Sequence, residues 1–211
     1  MKKEIIILIL ITLILFISCG TKKQLMNDFY SDNKKVGIII LNEQANIHRE
    51  HKGGLVDIGS TNPEKFIEAL KIINNRIDIK SQIENFYSEY FNSKNKKTEF
   101  LEMNFDISKN EQIHKSLKGK GINQVIIVKV EYGLLLSYYN LLEIAKNGYC
   151  QINSEILDLD NNSVIYKNTS KSIKKIKGNW KKSEHQELTK SISLAIESAI
   201  KSEKNKLRLS R

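Results

Sequence analysis

An apolar run from Ile5 to Ile17 opens the chain, and strand-like and helix-like periods alternate after it. Val36-Gly37-Ile38-Ile39-Ile40-Leu41 is a continuous, mostly β-branched stretch, which predicts a central strand covered on both faces. His48 to Gly59, with three glycines, predicts a loop; Asn62 and Pro63 then supply a cap and a first helical residue. Phe66, Ile67, Leu70, Ile73 and Ile77 share one helical face, whereas Ile79, Ile83, Phe86 and Tyr90 follow a rotated one. Either two helices meet near Asn74-Asn75-Arg76 or one long helix is buried on different sides, and the asparagines favour a joint.

Further strands are predicted at Phe100 to Phe105, Val125 to Tyr132, Tyr149 to Leu159 and Ser163 to Ile176. The third of these five strands starts doubly apolar and ends alternating, as if it left the centre of a sheet for an edge. The last two are joined by Asp160-Asn161-Asn162, a polar turn of hairpin type. A short helix is expected from about Ser108 to Leu117. A final helix opens at Ser183 with Gln186 three residues on, a capping box, and carries a Leu188, Ile192, Ala195, Ile196, Ala199 stripe. The pattern predicts an α/β fold, a mixed sheet of about five strands with helices packed on it.

The opening run then acquires a chemical meaning. Lys2 and Lys3 precede it, Ser18-Cys19-Gly20 follows it, and it is short for a bilayer span. This layout resembles a bacterial lipoprotein signal with lipidation at Cys19; Glu4 and Phe16 are unusual there, so a permissive lipobox and an uncleaved amino-terminal anchor both stay open. The expected organisation is a signal peptide over 1–18, a polar tether over 19–35, one α/β domain over 36–201 and a basic tail over 202–211. Lipidation would leave Cys150 as the single thiol, within an alternating pattern that predicts a small buried strand residue.

Charge narrows the partners. Lys plus Arg number 34 against 24 Asp plus Glu, a net charge of +10 to which the leader contributes little. A basic surface favours anionic lipid, acidic polymers or acidic proteins, and export argues against nucleic acid. Part of the excess lysine also fits an Ile- and Asn-rich composition with no functional message.

Few motifs carry chemistry. His48-Arg49-Glu50-His51 gathers metal-capable side chains, but the three-residue spacing needs a helical backbone, Gly53 and Gly54 predict a loop, and no third ligand is indicated. Neither a phosphate loop nor a nucleophile elbow is present, so no cofactor, metal or catalytic role is expected. Gly133 to Ala145 is an apolar connection that has to be buried somewhere. Leu135, Tyr138, Tyr139 and Leu142 form either one face of a short helix on the core or a partner-binding patch. Lys177, Trp180 and Lys181 form a second candidate, a basic and aromatic stretch suited to an anionic interface, against the alternative of a solvated connection.

Gly121-Ile122-Asn123-Gln124-Val125-Ile126-Ile127, with the hairpin Leu157-Asp158-Leu159 to Val164-Ile165-Tyr166, resembles phrases of the curli-secretion-channel and penicillin-binding-protein-activator superfamily. The resemblance covers Val36 to Ala199. It implies a mixed α/β domain anchored to an outer membrane and working by contact rather than catalysis. Channel-forming members carry long amphipathic hairpins, and no pair of long alternating strands is expected here, which disfavours a pore. The expectation is therefore a lipid-anchored envelope lipoprotein that binds an envelope protein. A surface adhesin for acidic polymers and an envelope enzyme acting on wall material are the alternatives.

Overall fold

The computed structural model describes residues 26–31, 34–42, 44–52, 64–102, 113, 116–117, 120–139, 142–178 and 185–209. They build an α/β fold around one mixed six-stranded sheet with helices packed on it. Helix α1 occupies residues 26–31. Strands β1 (Lys35–Asn42) and β2 (Asn46–Lys52) precede helices α2 (Glu64–Arg76) and α3 (Ile79–Asn92). Then come β3 (Thr98–Phe100), β4 (Ile122–Tyr139), β5 (Leu142–Asp158), β6 (Ser163–Lys175) and helix α4 (Gln186–Leu209).

The sheet order is β3-β1-β4-β5-β6, with β2 also paired to β4. Both β1 and β2 run parallel to β4, one along its first half and the other along its second. They form one interrupted strand. Asn74 of α2 pins the interruption, because its Oδ1 accepts from the Ala45 amide at 2.7 Å and from the Tyr132 hydroxyl at 3.0 Å. Gly133 faces the same break with φ +140, and a Cβ there would lie 2.0 Å from the Asn46 carbonyl oxygen. Only glycine fits that contact.

Alternation along β4 divides the molecule. Ile126, Val128, Val130, Tyr132, Leu134, Leu136 and Tyr138 join the main core beneath α2, α3 and α4. On the other face Val125 and Leu157 join a smaller cluster with Ile113 and Leu117. Helix α4 crosses β5 where Gly148 lets the Ser191 backbone approach, and the Ser191 hydroxyl accepts from the Gly148 amide while donating to the Lys174 carbonyl.

Several expectations hold. The joint between α2 and α3 exists, and Asp78 caps α3 by accepting from the Ser81 amide at 3.0 Å. Strands β5 and β6 pair antiparallel across a turn in which Asp158 accepts from the Asp160 and Asn161 amides. Cys150 is fully buried in β5. Asn62, Pro63 and Ser183 lie outside the described residues.

Other expectations are corrected. The proposed tether cannot extend to 35, because Met26 and Phe29 of α1 are buried in the main core. No basic tail begins at 202, since α4 continues to Leu209 and buries Glu203 and Leu207. His48 belongs to β2 rather than a loop. Strand β4 is no edge; it pairs with β1, β2 and β5, and it is 18 residues long against 17 for β5. Within the stretch read as a connection, residues 133–139 belong to β4 and residues 142–145 to its antiparallel partner β5, not to a helix. The hairpin of β4 and β5 is long, but the distal half of β4 is buried on both faces rather than alternating, as a doubly covered strand requires.

Candidate functional site

The two ends of this hairpin differ in kind. Eighteen residues at strand rise place the tip of β4 about 55 Å from its start. At the near end stand the starts of β1, β3 and β4 and the β5–β6 turn, tied by the Lys34–Asp160 ion pair at 2.9 Å and by Asn123 donating to Asp160. Lys96, buried between α3 and β3, donates to Gln124 and lies 4.8 Å over the Phe29 ring. That cation–π contact, the edge-on packing of Phe29 on Phe91 and the Tyr30–Tyr90 hydroxyl bond at 3.0 Å clip α1 to the body.

The near half also holds an unusual carboxylate. Glu203 is fully buried, and its Oε1 accepts from Tyr87 at 3.2 Å and Ser154 at 2.6 Å. Its Oε2 accepts from Ser170 at 2.8 Å and from the Asn168 amide. These four neutral donors knit α3, β5, β6 and α4 together. Burial, and secondarily the Glu203 charge, push the Tyr87 hydroxyl well above its ordinary range.

At the distal end Tyr139 and Ile144 are 57% and 55% exposed. A bulge at Ser137/Tyr138 leaves Ile144 unpaired in the ladder. The adjoining hollow, about 500 Å³, is lined by Ile144, Lys146, Asn147, Lys175 and Ile176. Below the tip, the sheet face opposite the helices turns polar and aromatic. His48 and Tyr149 rings stand 4.4 Å apart, and Lys171 lies 5.4 Å over Tyr149. Tyr149 donates to Gln151, Gln151 to Asn153, and Thr169 to Asn153, giving a preordered row of side chains. Strand β6 closes the sheet with exposed Lys167, Lys171 and Lys175, charges that guard an edge against foreign strands.

The sequence-predicted residues scatter across this frame. Leu135 and Tyr138 are both buried, at 3% and 4%, and sit on opposite faces of β4, so they form no common patch. Tyr139 is exposed, and Leu142 pairs with it in register. Lys177 is exposed next to the distal hollow, whereas Cys19, Trp180 and Lys181 lie outside the described residues. His48 stands in strand β2 and not in the helical backbone that sharing a metal at three-residue spacing would need. Among the described residues no three His, Cys, Asp or Glu side chains gather to hold a metal. Sequence reasoning did not assign Asn74 to the strand break, Gly133 to its close backbone contact or Glu203 to the core. For Glu203 a signal was present, because Ala195, Ala199, Glu203 and Leu207 continue one helical stripe.

No family model matches the chain, and no curated protein matches it. Among solved structures it is similar to the PelC dodecamer of Paraburkholderia phytofirmans, at 10% identity and TM-score 0.35 over 81% of this chain and 88% of that one. It is similar to the C-terminal domain of LpoB from Salmonella enterica at 10% identity and TM-score 0.28, covering 72% and 95%. A lipoprotein of Neisseria meningitidis is 12% identical with TM-score 0.29, covering 77% and 98%. Likeness at this level carries no function across, so the function rests on the chain's own residues.

Proposed function

We propose that this chain is a membrane-anchored lipoprotein of the bacterial envelope, held at the outer membrane through Cys19, whose α/β domain binds a protein of that envelope as an assembly module. The observation that carries this reading is the leader ending in Ser18-Cys19-Gly20, followed within seven residues by a folded body that starts at Met26. Binding rather than catalysis follows from what the domain presents. Its distal hairpin exposes Tyr139 and Ile144, and exposed aromatic and aliphatic side chains at the end of a rigid sheet are elements of a protein interface.

A photo-crosslinking side chain at Tyr139 in living cells tests the reading. One discrete envelope-protein adduct is expected there and none from the same group at Val164, exposed near the opposite end. Equal labelling at both positions, or none at Tyr139, would remove the distal hairpin as the binding element.

A further inference from the structure

Met26 is buried in the core, so no more than six residues, 20–25, separate a lipidated Cys19 from the domain. Seven extended Cα steps reach about 25 Å. A domain with a hairpin about 55 Å long cannot tumble freely on such a leash, and the surface around α1 has to lie against the lipid.

That surface is chemically distinctive. Tyr90, Ser93 and Lys94 at the end of α3, and Lys204 and Arg208 on α4, line a cleft of about 270 Å³ on the same end of α3 that clips α1. Lys204 and Arg208 are exposed four residues apart on one helical face, and Lys201 extends the stripe by one more turn. Lys94 lies 5.9 Å over the Tyr90 ring, so its ammonium is held at the rim. Glu89 is the opposing carboxylate in the cleft, and Asp28 is exposed on α1; the cations outnumber them.

We infer that the cleft formed by Lys94, Lys204 and Arg208 docks on anionic phospholipid headgroups, setting the domain upright with its distal hairpin away from the membrane. This rests on the reading of Cys19 as the lipid anchor. A short tether supplies the high local concentration, and the cations select orientation, since one lipid signal plus a basic patch fixes a protein where either alone does so weakly. Each cation near an anionic surface is worth roughly a fivefold preference. The same geometry sends Lys177, beside the distal hollow, away from the lipid.

The test uses the lipidated full chain in vesicles of phosphatidylcholine, or of phosphatidylcholine mixed with phosphatidylglycerol, each with a headgroup-attached quencher. A fluorophore is placed at Asn205→Cys or at Tyr139→Cys; Cys150 does not compete, being buried with its thiol pushed up to about 12. In the anionic vesicles the label at 205 is expected to be quenched at least fivefold more than the label at 139. The difference shrinks in neutral vesicles, in high salt, and in a Lys94→Glu, Lys204→Glu, Arg208→Glu variant that keeps its melting temperature. A protein whose mass and detergent partition prove lipidation, but whose two labels quench alike or whose triple variant behaves as the parent, overturns the docking while leaving the anchor standing. Absence of lipid on Cys19 overturns both.

Discussion

The near and distal ends of the β4–β5 hairpin are built by opposite strategies. At the near end polar groups are pulled inside and saturated: Glu203 collects four donors and Lys96 is buried against Gln124 and Phe29. At the distal end apolar groups are left outside, as Tyr139 and Ile144 show. A buried charge needs fixed partners on every side, which makes a rigid base. An exposed apolar tip is stable only because the base holds the strands in register, and it keeps its contact energy for a partner.

The contrast can be broken most forcefully at its base. Glu203→Ala leaves the Tyr87, Ser154, Ser170 and Asn168 donors without their acceptor, and a loss of about 4 kcal/mol in chemical unfolding is expected from buried donors left unmade. Gly133→Ala strikes the midpoint, where the new Cβ meets the Asn46 backbone; a loss of about 3 kcal/mol is expected, with β2 losing amide protection before β1. The tip separates the two strategies. Leu135→Ser and Tyr138→Ser should each destabilise by about 3 kcal/mol because they hollow the two buried faces of β4, whereas Tyr139→Ser should stay within about 0.5 kcal/mol of the parent and weaken co-purification of the envelope partner. If the first two left stability untouched and removed only binding, the distal half of β4 would be interface rather than core.

Titration offers finer probes. Burial pushes the Cys150 thiol from 9.0 to about 12, so the folded state keeps a proton that the unfolded chain releases. Its contribution is fully present below pH 9 and is lost as pH rises toward 12. A Cys19→Ala chain should resist thiol reagents at pH 8 until unfolded, and Cys150→Ala should soften the alkaline loss of stability. The smallest effect is expected at exposed Asp78, whose carboxyl the Ser81 amide and hydroxyl hold below its usual value. That stabilisation is present at neutral pH and lost as pH falls through the lowered pKa, so Asp78→Ala should flatten the acid limb of an unfolding-versus-pH curve.

What could be read from the sequence divides along the same axis. Periods confined to one element were legible: the β-branched run of β1, the change of face at the α2–α3 joint and the Asp158 to Ser163 hairpin. Elements defined by distant partners were not. The far half of β4 was hidden because a strand buried on both faces loses its alternation. Glu203 looked like part of a charged tail because the donors that draw it inside come from α3, β5 and β6. Phe29 stood in a polar stretch that reads as a spacer, and the partners that bury it, Phe91 and Lys96, come from far along the chain.

The most direct test of the account is the mass of the amino-terminal peptide of the chain taken from its native membrane. A mature chain that begins at Cys19 and carries a thioether-linked diacylglycerol is predicted. A free Cys19 thiol, or a chain that keeps residues 1–18, would contradict the lipid anchor and with it the orientation of the two ends.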